Sequence, residues 1–228
     1  MRKEIVRIAS AACVKAGQKC TAIRRAFVPN AHMEAATAAL RDRLSKIVIG
    51  NPALDSVRMG PVVGLEQRAD VLQQLRRLQR EAKLVIGDRE DVQVEGADKK
   101  TGAFLPPMVL LCKDDPASAS EVHAIEAFGP VSTLMGYGDV GEVIALAHRG
   151  GGSLVASVYT YDLPTASDIA FGTACNPSVC PEQERLLRCG RRSAPLLDHV
   201  RGLFCDHDRR RIDMATSNRW HDRRIYNS

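Results

Sequence analysis

The chain lacks the features that mark membrane-spanning, secreted and disulfide-bonded proteins. No apolar run approaches the ~18 residues that a membrane helix needs. The N-terminal stretch resembles a secretory signal only superficially, because Glu4 and Arg7 interrupt its apolar part. The seven cysteines are an odd number at irregular spacings, which argues against a disulfide framework. We therefore expect a cytoplasmic protein in a reducing environment, with no membrane partner.

Aromatic side chains are scarce as well. They make up 4% of the residues, so the core must be mostly aliphatic. The net charge of +5 is concentrated at the C-terminal end, where residues 173–228 hold 11 arginines, no lysine and 7 acidic residues. Without regularly interleaved aromatic residues, such a segment binds nucleic acid or membranes only non-specifically, through charge. We expect no specific nucleic-acid partner.

Cysteine pairs with the spacing of zinc ligands are also absent. The C-terminal segment contains four cysteines and a nearby histidine, none of them in a C-x-x-C pair: Cys175, Cys180, Cys189, Cys205 and His207. They do not predict a metal site. Three further histidines stand alone, with no serine or aspartate partner at a recognisable spacing: His32, His123 and His148. We expect these three to be exposed surface residues.

Apolar residues recur with helical and strand periods along residues 1–172. Helical stripes cover residues 3–15, 30–47, 66–82 and 140–147, and strand-like runs cover residues 26–28, 83–87, 104–111, 131–135 and 154–160. Strands separated by helices favour crossover connections, which place the strands parallel to one another. The sequence therefore predicts an α/β fold with a largely parallel sheet and flanking helices.

Two of the helical stripes carry more specific predictions. Asn30 is predicted to cap the N-terminus of the helix over residues 30–47. The helix over residues 66–82 is predicted to bury Ala69, Leu72, Leu75 and Leu78 and to expose Arg76, Arg77 and Arg80. These arginines are most simply a solvated helix face, and a phosphate- or CoA-binding patch is the alternative.

The strongest candidate for a reactive group is the thiol in Gly17-Gln18-Lys19-Cys20. A thiolate is the nucleophilic form of cysteine, and a neighbouring cation such as Lys19 favours it. Glycine permits a tight turn, so that Cys20 can face a cleft while nearby backbone N–H groups converge. On residue chemistry alone, a buried structural thiol is the competing interpretation.

A second motif, Glu126-Ala127-Phe128-Gly129-Pro130-Val131, lies about a hundred residues downstream of this cysteine. Together the two motifs resemble those of the aldehyde dehydrogenase superfamily in their residues, in their order and in their separation along the chain. The resemblance runs from about residue 5 to residue 162 and covers that family's catalytic domain. It is strongest to members of bacterial phenylacetate and benzoate catabolism that oxidise CoA-linked semialdehydes.

The resemblance implies a role for four residues. Cys20 would be the nucleophile, with its own N–H as half of the oxyanion hole. Glu126 would hold a ribose of the cofactor, Phe128 would pack near the nicotinamide, and Gln67 matches a further cofactor-contacting position more loosely. The alternatives without a cofactor role are that Glu126 is an ordinary surface carboxylate and that Phe128 is a ring in the core. The implied cofactor is NAD or NADP, the substrate is a small aldehyde, CoA-linked in the nearest members, and a homo-oligomer is expected.

The resemblance also implies a division of the chain. Residues 1–172 match part of the catalytic domain, whereas residues 173–228 form an atypical basic tail rich in cysteine and arginine, expected to be frame-shifted or disordered. The family's cofactor domain, its water-activating glutamate and its upstream asparagine are expected to be missing, and Gly150-Gly151-Gly152 does not have the spacing of a phosphate loop. A truncated fragment with only thiol or esterase reactivity, or an oligomerisation role, is therefore the alternative to a dehydrogenase.

Overall fold

The computed structural model of the chain describes Ile8 and residues 13–88, 92–151, 155–174 and 212–215. The chain divides into two compact units, Met1–Gly151 and Gly152–Ser228. The first unit carries all four predicted site residues. Within the described ranges, no helix combines the length and the apolar character needed to cross a bilayer. The predicted helix over residues 3–15 lies largely outside the described residues.

A mixed sheet forms the centre of the first unit. The unit's described strands are β1 Arg25–Pro29, β2 Ile49–Gly50, β3 Ala82–Ile86, β4 Val94–Glu95, β5 Met108–Cys112 and β6 Val131–Tyr137. Four of them form one sheet in the order β1-β6-β5-β3, in which β6 runs parallel to both neighbours and β3 runs antiparallel to β5. The predicted α/β fold with a largely parallel sheet is confirmed, with β3 as the exception.

Two segments of the chain form strands that differ from the prediction. β5 begins at Met108 rather than at Phe104, because Pro106 and Pro107 have no N–H group to donate to a neighbouring strand. Residues 104–107 are nevertheless buried. The segment 88–102 was predicted to be a surface loop or weak hairpin, but its residues Val94–Glu95 pair in parallel with β2, a distant strand.

Among the described residues of this unit, four α-helices flank the strands: α1 Met33–Leu44, α2 Leu65–Leu78, α3 Glu121–Ala124 and α4 Val140–His148. The predicted start of α1 was wrong, because Asn30–His32 form a separate 3₁₀ turn and Asn30 does not cap the helix. The predicted inward face of α2 was partly wrong: Ala69 is exposed, and the helix buries Val71, Leu75 and Leu78. Alanine and valine are both apolar, so the pattern of apolar residues alone did not show which of Ala69 and Val71 faces the core.

Two of the three arginines predicted to be exposed, one on α2 and one just beyond it, lie against α3. Arg77 and Arg80 approach the same Glu121 carboxylate oxygen, at 3.2 and 3.8 Å. Both arginine side chains are largely accessible to water, so each ion pair contributes about 1 kcal/mol at most. Because two of the three arginines are paired with a carboxylate, the contacts favour the solvated-face interpretation over the phosphate patch.

The core is aliphatic, as the scarcity of aromatic residues predicted. Four of its most completely buried members lie on β5 and β6: Met108, Leu110, Leu134 and Met135. Burying one such side chain contributes about 1.5–3 kcal/mol relative to leaving it exposed. This packing fixes β5 and β6 relative to each other and so fixes the start of β6, which matters for the site described below.

The prediction that His123 lies on the surface was wrong, because its side chain is buried. Its Nε2 lies 2.9 Å from the Pro116 carbonyl, and its Nδ1 lies 3.0 Å from an Arg25 nitrogen. A carbonyl accepts and a guanidinium donates, so the ring is the neutral Nε2–H tautomer. Arg25 also donates to the Leu146 and Ala147 carbonyls at the end of α4.

This environment predicts a pH dependence of stability. Burial, followed by the Arg25 and Arg149 cations, lowers the pKa of His123 below its usual 6.5, against the opposing Pro116 hydrogen bond and the Glu81 carboxylate. The folded state then binds fewer protons than the unfolded state, so the contribution is complete above pH 6.5 and is lost as pH falls below it. We expect the free energy of unfolding to decrease between pH 7 and pH 5, by at most ~1.4 kcal/mol per pH unit.

The measurement is urea unfolding of the full chain and of His123→Gln at several pH values. Glutamine keeps a donor and an acceptor but has no titrating ring, so the difference between the two slopes isolates His123. All other titratable groups are present in both proteins, so their contributions to the pH dependence cancel in the difference. Equal slopes in the two proteins would show that His123 does not titrate in this range.

The second unit contains two strands and a helix among its described residues. β7 Val155–Val158 pairs antiparallel with β8 Ile212–Ala215, and α5 covers Leu163–Ala174. Asp162 begins this helix, because its carboxylate accepts hydrogen bonds from the backbone N–H and the hydroxyl of Thr165. No strand was predicted in the tail, so β8 is a correction. The four tail cysteines and His207 lie outside the described residues.

Candidate active site

The sheet topology brings the two predicted motifs to one edge. The cysteine motif precedes β1, with residues 21–24 between them, and residues 126–130 directly precede β6. Because β1 and β6 are parallel neighbours, with Arg25 opposite Thr133, the segments that lead into them start from the same edge of the sheet. Two hydrogen bonds extend the pairing towards that edge: Thr133 N donates to the Arg24 carbonyl at 2.8 Å, and Ser132 Oγ donates to the Ile23 carbonyl at 2.5 Å.

The turn before the cysteine is strained and tightly packed. Lys15, Ala16 and Gly17 all have left-handed backbone conformations, with φ of 51°, 50° and 73°. A Cβ atom at Gly17 would lie 2.0 Å from the Gly129 carbonyl oxygen. The tight turn predicted at Gly17 is therefore confirmed, and glycine also permits direct contact between the cysteine turn and the segment before β6. Left-handed residues other than glycine cost about 1–2 kcal/mol each and often lie at functional sites.

Cys20 lies on the surface, in a turn closed by a 3.0 Å hydrogen bond from Ala22 N to the Lys19 carbonyl. The other two cysteines of the described ranges differ from it. Burial raises the pKa of the Cys13 thiol to about 11, although the Arg43 cation opposes the shift. Burial also raises the pKa of the half-buried Cys112 thiol. Cys13 is buried and Cys112 is half-buried, so the predicted nucleophile is the most exposed thiol of the three.

Glu126 and Phe128 both face outward from the segment before β6. Burial alternates along it, because Ile125, Ala127 and Gly129 are buried while Glu126 and Phe128 are exposed. The carboxylate and the ring are therefore both accessible to solvent on the segment that leads into β6. Phe128 is 43% exposed with φ of 47°, which excludes the core-ring interpretation. A left-handed backbone at a bulky residue is uncommon and needs support from its surroundings.

The first turn of α2 supplies that support and touches both motifs. The Gln67 side-chain amide donates to the Phe128 carbonyl at 3.1 Å. The backbone N–H of Val63, just before the helix, donates to the side-chain carbonyl of Gln18 at 2.9 Å. An open depression lies along this turn, lined by Val63, Gly64, Leu65, Glu66, Gln67 and Asp70. Its rim includes the exposed apolar side chains of Val63 and Leu65.

The structure therefore brings some of the predicted site residues into contact but not all of them. Gln67 and Phe128 are in direct contact, and the Cys20 turn meets the Phe128 segment through Gly17 and Gly129. Glu126 makes no side-chain hydrogen bond that the structure records in the described part of the chain. Gln18 was quoted in the motif without a role, and its bond to Val63 spans 45 residues, so no local pattern signals it. Among the described residues no cluster of three or more metal-ligating side chains is present.

Comparison with protein families and curated proteins gives a consistent result. Residues 1–175 match the model described as the aldehyde dehydrogenase family. The 3,4-dehydroadipyl-CoA semialdehyde dehydrogenase of Aromatoleum evansii is 41% identical over 172 residues, which are 75% of this chain and 33% of that protein. The sulfoacetaldehyde dehydrogenase of Neptuniibacter caesariensis is 33% identical over 154 residues, which are 68% of this chain and 31% of that protein.

Solved structures with the same fold include two complexes with NAD+. A point mutant of betaine aldehyde dehydrogenase from Staphylococcus aureus has a TM-score of 0.62 and 29% identity, and the match covers 74% of this chain and 33% of that one. A mutant of aldehyde dehydrogenase C from Pseudomonas syringae, in complex with NAD+ and octanal, has a TM-score of 0.63 and 25% identity over 75% of this chain and 34% of that one. The chain thus spans about one third of the length of the relatives it matches.

Proposed function

Because the chain belongs to the aldehyde dehydrogenase family, we propose that it carries the nucleophile of an NAD(P)-dependent aldehyde oxidation. One observation supports this most directly: the exposed Cys20 turn and the exposed pair Glu126 and Phe128 precede neighbouring parallel strands and are in contact through Gly17 and Gly129. A nucleophile and a surface for a planar cofactor are then available at one edge of the sheet.

In this proposal the Cys20 thiolate attacks the aldehyde carbon and forms a C–S bond, while the carbonyl oxygen takes the electron pair. The backbone N–H of Cys20 stabilises that oxyanion, as one half of the expected hole. NAD+ or NADP+, when bound, supplies the oxidising equivalent by accepting a hydride from this carbon. Water then cleaves the C–S bond of the resulting thioester, releasing the carboxylic acid and the free thiol.

The residues present fit the nicotinamide end of such a cofactor. The partly exposed ring of Phe128 offers an apolar face to a planar heterocycle, and the exposed carboxylate of Glu126 can accept hydrogen bonds from ribose hydroxyls. Gln67 holds the backbone of Phe128. These contacts involve neither ribose 2′-phosphate nor adenine, so they suit NAD and NADP equally.

The substrate we propose is a CoA-linked semialdehyde of the kind formed in phenylacetate or benzoate degradation. The support is the 41% identity to a protein named 3,4-dehydroadipyl-CoA semialdehyde dehydrogenase. We further propose a homo-oligomer in the cytoplasm, with the family-like part ending near residue 172 and residues 173–228 as a distinct tail. Size-exclusion chromatography with light scattering tests the oligomeric state.

The function is tested by incubating the full chain with NAD+ or NADP+ and either an aliphatic aldehyde or a CoA-linked semialdehyde. We expect reduced dinucleotide to form in proportion to the aldehyde consumed. In parallel, alkylation by iodoacetamide is followed on each cysteine peptide by mass spectrometry, and we expect aldehyde to slow alkylation of Cys20 but not of Cys112. Dinucleotide reduction without protection of Cys20 would contradict its role as nucleophile.

The second candidate function is thiol-dependent ester hydrolysis without oxidation. The observation that favours it is the exposed thiol of Cys20, because a cysteine nucleophile can attack an ester carbonyl without a dinucleotide. Hydrolysis of an activated phenyl ester at Cys20, with no dinucleotide reduction for either aldehyde, would support this second candidate and contradict the first.

A further inference from the structure

Two glutamines hold the two halves of the candidate site against the same helix turn. Gln18 precedes Cys20 by two residues and accepts a hydrogen bond from the backbone N–H of Val63, two residues before α2 begins. Gln67, in the first turn of α2, donates to the backbone carbonyl of Phe128. The two bonds span 45 and 61 residues of sequence, respectively. The segment that leads into α2 is therefore bonded to the cysteine turn, and the first turn of α2 is bonded to the Phe128 segment.

We propose that Gln18 and Gln67 are positioning residues, a glutamine clamp that fixes the Cys20 turn and the Phe128 segment in one geometry for the reaction. The proposal rests on the function proposed above only for its catalytic consequence. The clamp touches the reacting thiol and the cofactor surface indirectly, through the backbone on either side of them.

The polarity of each bond follows from its backbone partner. A backbone N–H can only donate, so Gln18 must present its side-chain oxygen to Val63. A backbone carbonyl can only accept, so Gln67 must present its side-chain nitrogen to Phe128. The two glutamines therefore have opposite requirements: a carboxylate can replace the first but cannot replace the second.

The clamp acts where the backbone is strained. Phe128, Lys15 and Ala16 all have left-handed conformations without being glycine. Such residues keep their conformation only when the surrounding structure holds them in place. A hydrogen bond to the Phe128 carbonyl, and another to the residue that follows the left-handed turn, restrain both segments at the places where they would otherwise relax. Loss of either bond should loosen one segment and leave the other in place.

The experiment compares the same substitution at both positions in the full chain. Hydrogen–deuterium exchange is measured on residues 17–23 and 126–131, together with kcat and KM for the dinucleotide. We expect Gln67→Glu to speed exchange at residues 126–131 and to raise the dinucleotide KM several-fold to about tenfold, the effect of one hydrogen bond, with kcat nearly unchanged. We expect Gln18→Glu to keep wild-type exchange at residues 17–23, because a carboxylate oxygen still accepts from Val63 N–H, whereas Gln18→Met speeds exchange there and lowers kcat.

Gln73→Glu on the exposed part of α2 is the matched control for added charge on the helix, and we expect wild-type behaviour from it. Gln→Glu changes a single side-chain group, so these variants remain informative if Gln18→Met does not fold. The clamp is overturned if Gln67→Glu leaves exchange at residues 126–131 unchanged, or if Gln18→Glu loosens the cysteine turn. If the variants show the expected exchange at residues 17–23 and 126–131 but no protein reduces the dinucleotide, the result would support the clamp and overturn the proposed function.

Discussion

Cys20→Ser is expected to abolish aldehyde-dependent reduction of the dinucleotide, with a loss on the order of 10³-fold or more, as for other nucleophiles removed from covalent catalysts. Serine occupies nearly the same volume, and Cys20 is exposed, so the fold should be unaffected. The hydroxyl is a poor nucleophile at neutral pH, because it ionises far less readily than a thiol and needs an adjacent base. The measurement is initial rate under saturating aldehyde and dinucleotide.

Cys112→Ser is the matched control for this substitution. Cys112 is half-buried at the end of β5, and burial raises its pKa, so it should contribute nothing to the reaction. We expect this variant to keep wild-type rates and wild-type alkylation of Cys20. If Cys20→Ser retained aldehyde oxidation while Cys112→Ser lost it, the nucleophile would be misassigned.

Strand positions followed from the sequence where the apolar runs were dense. The runs at residues 26–28 and 131–135 became β1 and β6, because their side chains fill the aliphatic core. The two-residue strands β2 and β4 had no such signal. They pair because Gly50 allows the Glu95 carbonyl to approach to a distance that a Cβ atom would not permit, and this depends on tertiary contact between distant residues.

Polar residues were harder to predict than apolar ones. His123 was expected on the surface because no catalytic partner stood near it in sequence. Its partners are Arg25, 98 residues away, and the Pro116 carbonyl. Burial of a polar ring is possible only because both of its nitrogens are hydrogen-bonded, and spacing along the chain does not reveal such pairs when one partner is distant.

In the candidate site, too, some residues were predictable from the sequence and others were not. The two motifs identified Cys20, Glu126 and Phe128, and the structure shows all three to be exposed next to neighbouring strands. The supports between them were not predictable, since Gln18 and Gln67 act through backbone groups that any residue type possesses. The left-handed backbone of Phe128 was equally hidden, because only glycine and asparagine signal such conformations in a sequence.

Gly17→Ala is expected to damage both stability and activity. The new Cβ would lie 2.0 Å from the Gly129 oxygen, 2.4 Å from its carbonyl carbon and 2.8 Å from the Pro130 nitrogen. All three are backbone atoms that cannot rotate away, so the cysteine turn must move off the segment before β6. The left-handed φ of 73° adds about 1–2 kcal/mol for alanine, and overpacking adds about 1–3 kcal/mol.

The effect on activity should exceed the effect on stability, because the turn displaced is the one that carries Cys20. A misplacement of about 1 Å at a reacting group can cost roughly 10²-fold in rate. Urea unfolding and the initial rate of dinucleotide reduction are measured on Gly17→Ala and on Gly151→Ala, where a Cβ meets no atom within 4 Å and the backbone is not left-handed. Gly151→Ala should match the wild type in both. Wild-type stability and rate in Gly17→Ala would mean that the two segments are not in contact there, and the Cys20 turn and Phe128 segment would then have no shared geometry for the reaction to use.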